Sequence, residues 1–195
     1  MAKIVFRDRS NSLSEDQKNI IRAAFRHALV IQRLVEQDFN ALMNVPRRRR
    51  KRAIHDYGKI KKWIGIQKRG RLRRIARRVS KLRKWLENRR ILVVFHEQED
   101  FICADTRRGA SRGARYISPV IRFHMCEDFF NGSGNRMADL IIHELCHEMG
   151  HLHAINDRHA DILALAAGRD AHRVARNPLT YQGLFREYTV EPINV

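Results

Sequence analysis

Apolar residues recur at helical spacing through Ile20, Ile21, Ala24, Ala28, Ile31, Leu34 and Val35, which predicts an amphipathic helix running to about Met43. Ser14-Glu15-Asp16-Gln17 ahead of it reads as a capping box. Asn44-Val45-Pro46 closes it, because proline drives the residue before it out of helical geometry. An apolar cluster follows at Ile60, Trp63, Ile64 and Ile66. From Arg71 the helical period returns in Leu72, Ile75, Val79, Leu82 and Leu86, with arginine and lysine on the outer face.

The period then changes. Ile91-Leu92-Val93-Val94-Phe95 predicts a short strand, and the stretch from Ile117 to Met125 predicts another, with Pro119 favouring a sheet edge. Glycine-rich loops are expected over 109–113 and 131–135, the second leading into the apolar helical run Asp139-Leu140-Ile141-Ile142. A polar turn at Asn156-Asp157-Arg158 precedes a helix through Ile162, Leu163, Leu165 and Ala166, and a last helical piece holds Tyr181, Leu184 and Phe185. Helices, a small sheet and helices again make an α+β arrangement. Residues 1–90 are expected to form a basic helical subdomain and 91–195 a second subdomain, the two making one compact domain.

Charge sharpens this division. Of the net +18, residues 46–90 carry +19, from 21 lysines and arginines against Asp56 and Glu87, and the rest of the chain carries −1. Such a segment suits an anionic partner, nucleic acid or an acidic surface. A solvated helix face is the plainer explanation. No stretch of about 18 apolar residues exists, so no membrane span is expected. The opening residues lack an apolar signal segment.

The candidate chemistry lies in His143-Glu144-Leu145-Cys146-His147, a complete HExxH. Two histidines four apart share one helix face and can grip one Zn²⁺, with the glutamate beside the water it must deprotonate. Cys146 is read as a small buried apolar residue. A catalytic zinc needs a third protein ligand and an open position. His151 cannot join His143, since eight helical residues rise about 12 Å against zinc–nitrogen bonds of about 2 Å. His153 completes the spacing His143-Glu144-x-x-His147-x-x-Gly150-x-x-His153, with Gly150 able to break the helix, but no methionine follows Met149 to supply a Met-turn. Asp157, after a polar turn and directly before a helix, is the other candidate, and local features favour neither.

Several short motifs occur in one particular order: Ser14-x-x-Gln17, Trp63-Ile64-Gly65 with a basic helix after it, and Tyr116-Ile117-x-Pro119. They continue with Ile121-x-Phe123-x-x-Cys126-x-x-Phe129-Phe130, the HExxH, and Asn177-x-x-Thr180-Tyr181-x-x-Leu184-Phe185. In this order the chain resembles the aspzincin metalloendopeptidases, the group of deuterolysin and the fungal peptidyl-lysine metalloendopeptidases. The resemblance implies a zincin-like fold with 91–195 as its catalytic part, and one Zn²⁺ per chain held by His143, His147 and Asp157, with His153 the alternative third ligand. It also implies a Cys103–Cys126 disulfide. The family's tyrosine that stabilises the transition state is matched here by Ala160, so the nearest polar substitute is His159; Tyr181 is a second option. Leu179 and Gln182 stand where lysine-preferring members carry acidic residues, which removes the basis for lysine specificity.

The expected activity is therefore zinc-dependent endopeptidase hydrolysis of protein or peptide substrates, with Glu144 as general base. The enzyme is expected to act as a monomer, secreted or delivered outside the producing cell as an effector or toxin-type protease. The alternative is a nucleic-acid-associated metalloprotease that uses the 46–90 segment to reach its substrates.

Overall fold

The computed structural model describes residues 1–7, 13–67, 69–95, 120–125, 127–150, 158–168 and 173–188. The chain enters as a strand, β1 (Lys3–Arg7), and then forms α1 (Glu15–Asn44). Ser14 caps α1: its hydroxyl accepts from the Gln17 amide at 3.1 Å while the Gln17 side chain accepts from the Ser14 amide at 2.9 Å. The expected capping box is present, and Glu15 and Asp16 meet the positive end of the helix dipole. The buried stripe runs through Ile21, Ala24, Phe25, Ala28, Ile31, Val35, Phe39 and Leu42, whereas Ile20 and Leu34 are exposed. Phe25 and Phe39, off the predicted list, supply the largest side chains of that stripe.

Two short helices, α2 (Arg50–Ala53) and α3 (Gly58–Ile64), lead to α4 (Arg69–Asn88), which packs along α1. Then come β2 (Arg90–Phe95) and β3 (Val120–Met125). The sheet has order β1-β2-β3 and is parallel throughout, with Ile4 beside Ile91 and Ile91 beside Ile121. The α+β class holds, and among the described strands β3 lies at one side of the sheet; Pro119 is outside the described residues. The sequence order does not hold: a strand precedes the first helix. Its partner lies more than 80 residues away, so five residues near the terminus carry no local sign of pairing.

Past β3, a 3-10 turn (Glu127–Asn131) feeds α5 (Gly134–Glu148), and α6 (His159–Ala167), a second 3-10 turn (Val174–Arg176) and α7 (Pro178–Arg186) complete the described chain. α5 lies between α1 and α7. One apolar core includes Phe25 of α1, Val79 of α4, Val93 of β2, Phe123 of β3, Ile141 of α5 and Phe185 of α7, so it crosses residue 90. Phe25 meets Phe123 edge-to-face at 5.4 Å, locking α1 to the sheet. Among the described residues, no helix is long and apolar enough to cross a membrane.

Candidate metal centre

α5 is a short helix with two tightly specified ends. Ser133 caps its start, accepting from the Arg136 amide at 3.3 Å. Gly150, at φ 86, ends it in the left-handed region that glycine adopts without strain. Between these ends Ala138, Ile141, Ile142 and Leu145 are fully buried and fix the rotation of the helix. That rotation leaves His143 and His147 half-buried on one side, stacked one turn apart with ring centroids 4.9 Å apart. Cys146 is fully buried and unbonded, its thiol pushed well above the ordinary range by burial and then by the nearby Glu144 carboxylate.

The two imidazoles point the same edge at one place: their Nε2 atoms are 3.2 Å apart. Two nitrogens bonded to one tetrahedral zinc at about 2.0–2.1 Å would sit roughly 3.3 Å apart. Glu144, only 6% exposed, brings a carboxylate oxygen to 3.9 Å from His143 Nε2. Ligand atoms of His143, Glu144 and His147 all lie within 4.8 Å of one another. The donor set and its spacing fit a zinc ion.

A network behind His143 fixes its protonation. His143 Nδ1 is 3.0 Å from Gln182 Oε1, Gln182 Nε2 donates to Asp139 Oδ1 at 3.2 Å, and Arg186 Nε donates to Asp139 Oδ2. Asp139 is 3% exposed; Arg186 meets its charge at one oxygen and the neutral Gln182 amide hydrogen-bonds the other. Because the Gln182 amide faces a carboxylate, its nitrogen must point there and its oxygen must face His143. The orientation follows from the network. His143 Nδ1 therefore carries the proton, so the lone pair is on Nε2, the atom that meets His147 Nε2. Sequence reasoning missed Asp139 and Arg186, and placed Gln182 in a specificity pocket. The available signal was a buried-type position holding an acid: Asp139 stands one helical turn before His143 inside an apolar run.

His159 opens α6. Its ring packs edge-on against Trp63 at 5.6 Å, and its Nε2 is buried without a partner among the described residues. Burial pushes its pKa below the ordinary histidine value, the Arg186 charge adds to that, and the Asp139 carboxylate opposes both. The imidazole is thus neutral near pH 7. Tyr181, the other donor considered, is buried in the core with its hydroxyl donating to the Ala175 carbonyl at 3.1 Å, so it is committed away from the metal centre. Leu179 is half-buried against the core. Asp157, His153, Cys103 and Cys126 lie outside the described residues.

Neither a family model nor a curated protein sequence matches this chain. Among solved structures it is similar to a zinc peptidase from Grifola frondosa, with a TM-score of 0.62 over 90% of this chain and 97% of that one. Identity is 12%, so the likeness is one of fold. The class defined on both grounds is an α+β protein with the fold of a zinc peptidase, carrying a His–Glu–His cluster able to hold a metal.

Proposed function

We propose that this chain is a zinc-dependent metalloendopeptidase. The observation that carries the proposal is the 3.2 Å convergence of His143 Nε2 and His147 Nε2 beside the buried Glu144, in a fold shared with a zinc peptidase. His143 and His147 are two of the ligands, and Gln182 keeps the Nε2 of the first deprotonated. Asp157 is the third, with His153 the alternative.

When bound, Zn²⁺ supplies Lewis acidity that acidifies water and polarises a peptide carbonyl. Glu144 takes the proton from the attacking water and returns it to the departing amine nitrogen as the C–N bond breaks. We assign a second donor to the developing oxyanion to His159, whose unpartnered Nε2 has no competing acceptor among the described residues.

The deciding experiment pairs zinc content with hydrolysis of an unstructured protein substrate. Glu144→Gln is expected to keep one zinc and lose turnover; undiminished turnover would refute the scheme. Asp157→Ala and His153→Ala, assayed together, identify the third ligand by which of them strips the metal.

A further inference from the structure

Away from the His–Glu–His cluster, Arg71, Arg74, Arg78, Arg173 and Arg176 line one cavity of about 260 Å³, with Ala175 at its wall. The first three lie on one face of α4, at i, i+3 and i+7. The other two come from the 3-10 turn before α7 and the residue preceding it, roughly a hundred positions further along the chain. A merely solvated basic helix spreads its charges into water. Here two separate elements turn theirs toward a common space.

The walls are tied together, because Arg78 donates to the Ala175 carbonyl. Arg71 reaches Gln67 Oε1 at 3.5 Å and Arg74 reaches the Gly70 carbonyl at 3.4 Å, both neutral acceptors. Arg173 and Arg176 are exposed and make no side-chain hydrogen bond among the described residues. No described carboxylate pairs with any of the five. The contrast lies on the same helix: Arg83, near the other end of α4, is paired with both Glu36 and Glu87. Guanidinium groups stay charged at any ordinary pH, so the cavity gathers five positive charges with no paired carboxylate among the described residues.

We propose that this cavity binds a compact polyphosphate, meaning a small molecule carrying several phosphate groups. Arginine forks match phosphate oxygens two at a time, and convergent forks select ligands with charges on several sides. The volume lies just under the range of about 300–1,000 Å³ common for small-molecule pockets, which suits a short polyphosphate. A nucleic-acid strand instead strings its charges along a line, one per roughly 3.4 Å of rise, and would lie across a face. The site stands independently of the proposed peptidase activity.

The test is calorimetric titration of the full chain with inorganic tripolyphosphate at fixed ionic strength. One-to-one binding is expected, weakened at least about 30-fold in Arg74→Glu/Arg176→Glu, since each lost charge-assisted contact is worth about tenfold or more. The charge-matched control Arg48→Glu/Arg52→Glu, at the exposed start of the basic segment, is expected to change affinity by less than about threefold. Equal losses in both variants, or no loss in the pocket variant, would overturn the assignment, the first as bulk electrostatics and the second as capture elsewhere, including by zinc. Orthophosphate binding as tightly as tripolyphosphate would reduce the cavity to an adventitious ion only. A short single-stranded oligonucleotide that binds more tightly, and loses affinity with the same two substitutions, would overturn the compact ligand in favour of nucleic acid.

Discussion

His143 Nδ1 meets Gln182 Oε1 at 3.0 Å, and through that contact α7 determines which nitrogen of a candidate metal ligand carries the proton. The glutamine is itself set by Asp139, which Arg186 holds from the same helix. Replacing Gln182 with alanine removes the acceptor and frees the ring to rotate or change tautomer. Zinc affinity is expected to fall about 10–100-fold, as for other partners that orient metal-bound histidines. Gln182→Glu separates the two roles of the side chain. It keeps an acceptor for His143 but sets a second carboxylate against Asp139, so it is expected to lose stability as well as affinity. Competition against a chromophoric zinc chelator, alongside urea unfolding, reads both; an unchanged zinc affinity in Gln182→Ala would show the contact to be idle.

Gly183 has the opposite meaning to an ordinary helical glycine. Exchanging glycine for alanine inside a helix commonly stabilises by about 0.5–1 kcal/mol. At this position a Cβ would lie 2.2 Å from Trp63 Cζ3 and 2.3 Å from Cη2, inside the packed ring. Trp63 has little room to yield, since it is buried, donates to Glu187 at 3.0 Å and carries His159 on its face. Gly183→Ala is therefore expected to destabilise by about 1–3 kcal/mol, the usual cost of overpacking. Chemical denaturation measures it, and a stabilised variant would mean that α3 and α7 are not this close.

What the sequence disclosed follows from the range of each interaction. The capping box of α1, the apolar stripe of α4, the strand at Val120–Met125 and the two convergent histidines all depend on residues within a few positions of one another. They were legible. β1 was not, because its pairing with β2 spans the whole helical half of the chain. The orienting set was half legible: Asp139 and His143 are one turn apart on α5, but Gln182 and Arg186 reach them only once α7 packs beside α5. Charge was read correctly as a patch, yet its division into a paired end at Arg83 and an unpaired cavity at Arg71–Arg78 depends on where Glu36 and the 3-10 turn fall in space.

Glu87 of α4 ties its helix to α1 through Arg33 at 3.0 Å and pairs with Arg83 one turn back on α4 itself. The hydrogen bond from Arg33 is the largest influence on its carboxyl and holds it below the ordinary value of 4.5, with the charges of both arginines adding and burial opposing. A carboxyl with a depressed folded pKa contributes stability that is complete above the unfolded value. That contribution is lost as pH falls through the folded one, because the unfolded chain takes up the proton first. Stability should therefore decline below about pH 4.5, and Glu87→Gln should flatten that decline. At pH 7 the same variant is expected to cost no more than about 1 kcal/mol, since the pair is partly screened by solvent. Unfolding midpoints measured from pH 3 to 7 (roughly the span of carboxyl titration) decide it, and an unaltered acid limb in the variant would assign the pH dependence elsewhere.

Zinc should also appear as folding stability. A ligand that binds only the folded chain adds about 2.7 kcal/mol when present at a hundredfold excess over its dissociation constant. The candidate ligands on α5 gain their spacing from a helix whose rotation is fixed by buried Ile141, Ile142 and Leu145, so an unfolded chain cannot present them together. The melting temperature is expected to rise with zinc and fall with chelator. His143→Ala and His147→Ala should each abolish the response, while Glu144→Gln should preserve it, since that residue serves the proton and not the ion. Differential scanning fluorimetry across a zinc titration provides the readout. A zinc-dependent rise that survives both alanine variants would place the ion at some other site and leave the imidazole pair without its assigned role.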